Sequence, residues 1–489
     1  MTIGIRNPYL LRHAVDHARA AGSESLSLLF EDPRYLVHAH PDASALRYGA
    51  FGEGMSLNAR IYVTALSSLD RVPDPSTRRD FFAFHAASRQ LPDLAHAIAT
   101  TLVKGCPAVA TPLWTTVRVS DSGRYHTPGS GAVKGHASRV NAIAMAALSD
   151  GSQVAITAGT DATAIVWDLA TGARRHTLTG HRGQVSAVTA TVLPDGSPVA
   201  VTTSSAHEVI VWNLDTGLHR RTLTGHRQWV HAVTVATLPD GPVAVTISSD
   251  KDAVVWDLGS GVRRHTLTGH QKWVRAVATT ALSDGSPVAV TTGSTDEVIV
   301  WDLGTGLRRH TLTGHRGWAN TVTTTTLPDG SPVAVTTGAD KTGIVWNLDT
   351  GSRRHTLTGH TRPVDSVTTT VLPDGSPVAL TTGSAEEVIV WDLDTGVRRH
   401  TLAGHGVCVR AVTTTLPDGT AVALTTSANK KGILWDLSSG RAVGRLHLPY
   451  TGTLAAATRA GFVLGHEADL AYFVWNQAPD LDAPTQPRR

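Results

Sequence analysis

The octapeptide Arg-Arg-His-Thr-Leu-Thr-Gly-His is repeated along this chain, and it constrains the fold more than any other feature. It starts without change at Arg174, Arg263, Arg308 and Arg353, and near copies start at His219 and Arg398. The Gly-His pairs are 45 residues apart, with one step of 44, and the first pair is Gly135-His136. A fixed period of this length is typical of solenoids and propellers, in which each repeat is one supersecondary unit.

Each unit has the pattern of four short strands. After His181, the sequence QVSAVTATVL alternates apolar and small polar residues, as a half-buried strand does. The runs SPVAVTTS, EVIVWNL and LHRRTLTGH follow it, separated by turn sequences such as PDG and DTG. The pattern predicts a mainly β chain with four antiparallel strands in each unit and no room for helices there.

A tryptophan followed by Asp or Asn comes after every Gly-His pair. The series is Trp167, Trp212, Trp256, Trp301, Trp346, Trp391 and Trp435. These Gly-His and Trp-Asp pairs, repeated seven times over residues 113–476, resemble the WD-repeat (WD40) β-propeller family. The resemblance implies a ring of four-stranded blades around a central channel. It also implies a buried hydrogen-bonded tetrad of Trp, His, a strand Thr or Ser, and a turn Asp in each blade.

In the first unit the tetrad residues are His136, Thr157, Asp161 and Trp167. A buried indole, hydroxyl and imidazole must find partners, so we interpret the repeated histidines as structural rather than as metal ligands. At the acid position, the first, third and fifth units have Asp, whereas the second, fourth and sixth have Ala206, Thr295 and Ala385. Asn429 is a weaker substitute in the seventh unit. The sequence therefore predicts an incomplete tetrad in alternate blades and a duplicated two-blade module.

The ends of the array decide the number of blades. Three further strands are predicted up to Trp475, with no fourth behind them, and the segment from Leu113 offers one strand before the first Gly-His pair. Closing the ring with one N-terminal and three C-terminal strands would pair both exposed edges. We expect eight blades over residues 106–478, with seven as the alternative, and a disordered tail at 479–489.

Residues 1–105 have a different composition, and we expect a small α-helical bundle or helical-repeat segment there. Helical patterns occur at 8–22, 56–69, 76–91 and 92–102. The stretch LLFEDPRYLVHAHPDASAL resembles the helical region that precedes the propeller in actinobacterial STAND-type signalling ATPases. In such proteins helices link a nucleotide-driven switch to a sensing propeller. The pattern G-x-x-x-x-G-K-[ST] of that switch does not occur in this sequence.

Composition narrows the cellular setting and the partner class. The 489 residues carry a net charge of only +3, which does not indicate a dedicated nucleic-acid binder. Only Cys106 and Cys408 occur, so we expect no disulfide framework and a cytoplasmic location. We also expect no signal peptide and no membrane span.

The sequence gives no sign of catalysis. The patterns G-x-S-x-G, H-E-x-x-H and C-x-x-C are absent. We therefore expect a protein that is not an enzyme and has no cofactor and no metal ion. A hydrolase site built from several blades within the channel is the less favoured alternative.

One set of residues points to binding. Trp229, Trp273 and Trp318 occupy the same position in three successive units, with Arg227, Lys272 and Arg316 beside them. Tryptophan and arginine often dominate the binding energy of interfaces. Our leading hypothesis is that this arc binds a protein or peptide partner. The alternatives are that each tryptophan fills the space between neighbouring blades, or that the near-identical blades serve self-assembly, and the oligomeric state stays open.

The paired arginines of the octapeptide have two interpretations. They lie on the predicted outermost strand of each blade, where charge protects an exposed edge from strand addition. Alternatively, a ring of arginines contacts phosphate or an acidic partner.

Overall fold

The computed structural model describes most of the repeat array and parts of the N-terminal segment. The described residues are 29, 32–38, 75–88, 92–99, 110–115, 118–119, 125–126, 135–383, 387–404, 410–416, 418–427, 431–447, 454–457, 461–466 and 469–475. The helices predicted at 8–22 and 56–69, the predicted tail at 479–489, and Cys408 and Asn429 lie outside them.

The described N-terminal elements are three helices and three strands. They are α1 (Pro33–His38), α2 (Pro75–Ser88), α3 (Pro92–Ala99), β1 (Ala110–Thr115), β2 (Arg118–Val119) and β3 (Tyr125–His126). Strands β2 and β3 form a separate two-stranded hairpin.

Seven consecutive four-stranded antiparallel sheets, blades 1 to 7, follow in chain order. Blade 1 is β4 (Val140–Ala147), β5 (Gln153–Gly159), β6 (Thr163–Asp168) and β7 (Arg174–Thr179). Blade 2 is β8 (Val185–Val192), β9 (Pro198–Ser204), β10 (Val209–Asn213) and β11 (His219–Leu223). Blade 3 is β12 (Val230–Leu238), β13 (Gly241–Ser248), β14 (Ala253–Asp257) and β15 (Arg263–Leu267).

Blade 4 is β16 (Val274–Ala281), β17 (Pro287–Gly293), β18 (Glu297–Asp302) and β19 (Arg308–Thr313). Blade 5 is β20 (Ala319–Thr326), β21 (Pro332–Gly338), β22 (Thr342–Asn347) and β23 (Arg353–Thr358). Blade 6 is β24 (Val364–Val371), β25 (Pro377–Gly383), β26 (Val388–Asp392) and β27 (Arg398–Leu402). Blade 7 is β28 (Arg410–Thr415), β29 (Ala421–Thr426), β30 (Lys431–Asp436) and β31 (Ala442–His447).

Blade 8 joins the two ends of the array. It consists of β32 (Leu454–Ala457), β33 (Gly461–His466) and β34 (Asp469–Trp475), and β1 pairs with β34 as its fourth strand. The first strand of every blade contacts the first strand of the next, and β32 contacts both β28 and β4. The ring therefore closes with eight blades, which confirms the prediction, including one N-terminal and three C-terminal strands in the last blade; the seven-blade alternative is wrong.

The turns between strands follow the sequence signals. In the turn between β16 and β17, Gly285 has a φ of +81°, and the equivalent Gly196 of blade 2 has a φ of +82°. The N–H of Gly285 donates to the carbonyl of Leu282 at 2.9 Å. The carboxylate of Asp284 accepts the N–H of Ser286 at 2.8 Å. Asp-Gly chemistry thus closes the hairpin because Asp binds its own backbone and glycine adopts a positive φ without strain.

The hydrophobic core is divided into one cluster at each of the eight blade junctions. At the junction of blades 1 and 2, Trp212 packs with Ala200 of its own blade against Val154 and Leu178 of the preceding one. Ala200 pairs directly with Trp212 across the sheet. The small alanine makes room for the indole, and the flanking valines of the same strand face the next junction.

The described helices pack against the closing blade. Helix α2 contacts α3 and β1, and the rings of Phe84 and Phe473 stack at 6.5 Å between centroids. Phe84 is 1% exposed and belongs to the cluster between blades 7 and 8. The helices seen at Pro33–His38, Pro75–Ser88 and Pro92–Ala99 fall within segments where helices were expected.

Candidate functional site

The strands place two kinds of loop on one side of the ring, which we call the loop face. These are the loops between each Gly-His pair and the first strand of a blade, and the loops between its second and third strands. The hairpin turns that precede the second and fourth strands lie on the opposite side, the turn face.

In blade 1 the four predicted tetrad residues form one hydrogen-bonded chain. Trp167 Nε1–H donates to Thr157 Oγ1 at 2.9 Å, and Thr157 Oγ1 lies 2.8 Å from His136 Nε2. His136 Nδ1 lies 3.0 Å from Asp161 Oδ1. A carboxylate only accepts, so Nδ1 carries the proton and the Thr157 hydroxyl donates to Nε2. These hydrogen bonds tie two strands and two loops together.

Asp161 is held as a carboxylate by these donors. Burial favours its neutral form, but the hydrogen bonds from His136, Thr163 and the Ala137 N–H outweigh burial and hold the pKa of Asp161 well below its usual range. Blade 5 repeats this geometry with His315, Thr336, Asp340 and Trp346.

Blade 3 has all four residue types but a different geometry. The carboxylate of Asp250 lies 3.9 Å from His226 Nδ1 and accepts the hydroxyl of Ser248 instead. In blade 5 the position of Ser248 is Gly338, where an added Cβ would lie 2.6 Å from His315 Nδ1 and 2.8 Å from Asp340 Oδ1. A side chain at this position therefore separates the histidine from the acid.

In blade 2 an acid from another position approaches the tetrad histidine without a hydrogen bond to it. Glu208 lies 3.4 Å from His181 Nδ1, and it accepts the backbone N–H of Arg182 at 2.9 Å. Alanine at position 206 leaves room for this carboxylate. In blade 4 Thr295 stands at the acid position, no acid lies within ion-pair distance of His270 among the described residues, and His270 Nδ1, like His181 Nδ1, has no hydrogen-bond partner there.

The octapeptide itself connects strands and blades on the turn face. Its second arginine pairs with Asp residues of its own blade, as in Arg264 with Asp240 at 2.7 Å. The equivalent arginines with described ion pairs are Arg175, Arg220, Arg309, Arg354 and Arg399. Because these cations are already paired, they favour the edge-protection interpretation over an arginine ring that contacts phosphate.

The histidine of the octapeptide reaches the next blade. His265 Nε2 donates to the carbonyl of Gly304 in blade 4 at 3.0 Å, and His310 donates to the carbonyl of Asp349 in blade 5 at 3.2 Å. In blade 2 the near copy has Arg221 at this position, which donates to two carbonyls of blade 3. The repeated sequence is thus the strand that ties each blade to the following one.

The structure places the three predicted tryptophans on the loop face. Trp229, Trp273 and Trp318 each directly precede the first strand of blades 3, 4 and 5, and their side chains are 44%, 61% and 51% exposed. Buried side chains would be expected if they filled the spaces between blades. The predicted basic residues Arg227, Lys272 and Arg316 are exposed beside them. We call these six residues the tryptophan arc.

Two of the tryptophans are held by residues of the preceding blade. Trp229 Nε1–H donates to Ser186 Oγ at 2.6 Å. The guanidinium of Arg275 lies 4.5 Å from the ring centroid of Trp318, a cation–π contact. Ser186 and Arg275 occupy the second position of the first strand in their blades. The sequence analysis did not identify this position, because the residue found there differs between blades.

That same position links other neighbouring blades. Asn141, His231 and Asn320 each donate to a backbone carbonyl of the following blade, at 2.8, 2.7 and 2.9 Å. All three belong to odd-numbered blades, which agrees with the two-blade module predicted from the sequence. The loops of the arc are therefore attached to blades that are joined by hydrogen bonds.

Charge is distributed unevenly over the loop face. Arg227, Lys272 and Arg316 take part in no ion pair within the described ranges, and neither do Arg139 and Arg362 at equivalent loops, whereas Arg182 lies 3.6 Å from Glu208. Asp161, Asp250 and Asp340 are turned toward the tetrad histidines, with only 10% to 23% of their side chains exposed, whereas Asp296 is exposed on this face. The exposed charge is thus mainly positive.

The described residues contain no group of three or more His, Cys, Asp or Glu side chains that could hold a metal ion. Among the helices of the described ranges, none is long and apolar enough to cross a membrane.

Comparison with known proteins agrees with this geometry. The family described as WD domain, G-beta repeat (WD40) matches residues 130–168, 217–257 and 261–302. The crystal structure of the computationally designed Ika8 protein is similar with a TM-score of 0.59 and 21% identity, over 70% of this chain and 98% of that chain. This likeness concerns the fold alone. No curated protein matches the chain in sequence.

Proteins of the WD40 family are generally non-enzymatic scaffolds that bind protein partners. Three repeats match that family, and the tetrads recur on a closed ring. The chain is therefore an eight-bladed β-propeller in which three segments match the WD40 repeat.

Proposed function

We propose that the protein is a non-enzymatic interaction scaffold whose tryptophan arc binds a protein or peptide partner. One observation carries this proposal: three half-exposed indoles lie on successive blades beside cations that take no ion pair in the described part of the chain. Large aromatic and basic side chains in such an arrangement supply most of the binding energy in many interfaces.

The frame beneath the arc supports the proposal. The hydrogen bond from Trp229 to Ser186 and the contact of Trp318 with Arg275 restrict both indoles before a partner arrives. Preorganised side chains lose little conformational entropy on binding, at a typical saving of about 0.5–1.5 kcal/mol for each side chain. A rigid arc therefore suits an extended segment that crosses three blades.

The test is affinity capture from native lysate with the intact chain and with a variant carrying Trp229→Ala, Trp273→Ala and Trp318→Ala. Partners identified by mass spectrometry are then purified and titrated against both proteins. We expect the triple variant to bind at least tenfold more weakly. Equal binding by both folded proteins would place the site elsewhere.

A matched control is available on the turn face. Leu218, Val262 and Leu307 are also exposed apolar residues on successive blades, at 67%, 61% and 68%. Their replacement by alanine removes a comparable apolar area from the opposite side of the ring. The proposal requires that this control variant keeps the affinity of the intact chain, and a partner lost from both variants would indicate non-specific hydrophobic capture.

The exposed residues of the turn face favour a second candidate, self-assembly. Identical blades that present apolar side chains at a regular spacing offer many weak contacts that gain from multivalency. Light scattering after size exclusion distinguishes the two candidates. If the protein self-assembles, its measured mass increases with concentration, and the mass of the alanine control variant stays constant.

We also infer that residues 1–105 act as a helical segment that connects the propeller, residues 106–478, to a signalling partner of the STAND type in the cytoplasm. Support comes from the packing of Phe84 against Phe473 of the closing blade, which gives the described helices a rigid attachment. Addition of a purified partner that binds the propeller should change the rate at which a protease cleaves the helical segment. An unchanged cleavage rate would count against coupling between the propeller and the helices.

A further inference from the structure

Blade 4 has three members of the tetrad but no acid. His270 Nε2 lies 2.7 Å from Thr291 Oγ1, which accepts Trp301 Nε1–H at 2.8 Å. Neither His270 Nδ1 nor the hydroxyl of Thr295 has a hydrogen-bond partner among the described residues, although both atoms are buried. Unpaired buried polar groups typically cost about 1–3 kcal/mol each.

These two atoms border the same small space. A Cβ added to Gly293 would lie 2.7 Å from His270 Nδ1 and 3.4 Å from Thr295 Oγ1. At the equivalent Gly338 of blade 5, the added Cβ would lie next to His315 Nδ1 and the carboxylate oxygen of Asp340. The added Cβ lies 3.4 Å from the hydroxyl of Thr295 but 2.8 Å from the Asp340 oxygen, so this hydroxyl borders the place of the carboxylate oxygen and does not fill it.

Glu297 does not approach His270, although its counterpart Glu208 lies 3.4 Å from His181 Nδ1 in blade 2. Glu208 reaches His181 over Ala206, the smallest side chain seen at the acid position. Thr295 is larger by two heavy atoms and occupies that path. Within the described part of the chain, no ion pair joins Glu297 to His270.

Donors converge on this space from a third direction. The backbone N–H that follows the tetrad histidine donates to a carboxylate in blades 1, 2 and 5, at 2.7, 2.9 and 2.8 Å. In blade 4 this group is the N–H of Gln271, and the exposed Lys272 follows it. Burial and the nearby Arg308 lower the pKa of His270 to about 4, so its imidazole is neutral at pH 7 and Nδ1–H can donate.

We propose that the acid position of blade 4, bounded by His270, Gln271 and Thr295, binds a carboxylate group. The carboxylate accepts hydrogen bonds from the imidazole, the hydroxyl and the backbone N–H, and so completes the tetrad from outside the chain. The position borders the loop face, because the acids of blades 1, 3 and 5 remain 10% to 23% exposed there. Trp273 of the tryptophan arc lies three residues after His270.

The carboxylate has two possible sources, a small carboxylate ion or an Asp or Glu side chain of a partner held by the arc. Only the second source rests on the proposed function. The site itself is defined by the buried donors of blade 4 and is independent of what the tryptophans bind.

The first experiment titrates the full-length protein with sodium acetate at constant ionic strength, maintained with sodium sulfate, and follows the midpoint of thermal unfolding. A ligand that binds only the folded state raises this midpoint in a saturable manner. Thr295→Asp supplies the acid within the chain, and Thr295→Val removes one donor without supplying an acid. We expect acetate to raise the midpoint of the original chain, to act at least tenfold more weakly on T295V, and to have no effect on T295D.

Asp340→Ala provides the opposite control. It removes the acid from the complete tetrad of blade 5, so acetate should gain a second site and raise the midpoint of this variant further. An equal acetate response in the original chain and T295D would overturn the proposal, because acetate would then act elsewhere. No response in the original chain would overturn it as well and would assign the space to water.

The source is identified with a fluorescent octapeptide that contains one Asp among Gly and Ser residues and an apolar residue on each side, compared with its Asn analogue. Binding of the Asp peptide alone, weakened by T295D and by acetate, identifies a partner side chain. Acetate binding without peptide binding identifies a small carboxylate ion. The triple tryptophan variant should lose the peptide and keep the acetate response, so failure of the arc is distinguishable from failure of the site.

Discussion

The carboxylate of Asp250 lies 3.9 Å from Nδ1 of His226, whereas the corresponding pair in blade 5 lies at 3.0 Å. The difference follows from Ser248, whose hydroxyl donates to Asp250 where blade 5 has a glycine. Burial lowers the pKa of His226 to about 4, and the distant Asp250 offsets this only in part.

We predict that Ser248→Gly brings the two side chains of blade 3 into contact and raises the pKa of His226. A closer carboxylate favours the imidazolium form. The measurement is an NMR titration of the imidazole, with its signal assigned by loss in His226→Asn. Ser249→Gly, a neighbouring change in the same loop, should leave the titration unchanged. An unaltered pKa in S248G would show that Ser248 does not control the distance.

The converse change is predicted to weaken blade 5. Gly338→Ser adds a Cβ that would lie 2.6 Å from His315 Nδ1, so the bond between His315 and Asp340 must open. Loss of a buried charge-assisted hydrogen bond typically costs about 1.5–3 kcal/mol. Urea unfolding should therefore show a lower midpoint. Gly317→Ser is the control, because its Cβ would meet the Cβ of Ala339 at an ordinary 3.7 Å.

The contact between neighbouring blades gives a third prediction. Gly306 has a φ of +73°, and an added Cβ would lie 2.6 Å from the ring of His265 in the preceding blade. Gly285 has a similar φ of +81° but no heavy atom within 4 Å of an added Cβ. Both Gly→Ala changes strain the backbone, by roughly 1 kcal/mol, and only G306A also collides with a neighbour.

We expect G306A to reduce the free energy of unfolding more than G285A, as measured by urea denaturation. In a His265→Ala background, G306A should reduce the free energy of unfolding by less, since the added Cβ no longer meets the imidazole ring. Equal losses for the two glycine variants would mean that the interblade contact contributes nothing at this position.

The repeat pattern predicted most of the fold. The 45-residue period, the Asp-Gly turns and the single strand before the first Gly-His pair were sufficient for eight closed blades. They sufficed because blade formation depends on strand periodicity and edge pairing, which are local in the sequence. The three tryptophans were also found this way, since they interrupt otherwise matching copies.

The state of each tetrad could not be read from residue types alone. Sequence predicted incomplete tetrads in alternate blades, but Asp250 fails to reach His226 in blade 3, and in blade 2 Glu208 comes within 3.4 Å of His181 Nδ1 without a hydrogen bond to it. Both outcomes depend on side-chain volume at a neighbouring position, Ala206 in one case and Ser248 in the other. Such effects can be predicted only when the distances between the atoms are known.

The last prediction concerns pH. The pKa values of His226 and His270 are lowered to about 4 by burial, and that of His270 also by Arg308. In the unfolded chain a histidine titrates near 6.5, so between pH 6.5 and 4 the unfolded state binds more protons than the folded state. Stability is then fully present above pH 6.5 and falls as the pH decreases, by at most about 1.4 kcal/mol per pH unit for each histidine.

His181, His231 and His360 have lowered pKa values for the same reason and act in the same direction. The carboxylates with lowered pKa values contribute only below about pH 5, where unfolded Asp begins to be protonated. Urea midpoints at pH 7, 6 and 5 measure the histidine window separately. T295D should reduce the loss between pH 7 and 5, because an acid beside His270 raises its pKa. A midpoint that stays constant over this range would contradict the assignment of neutral buried imidazoles.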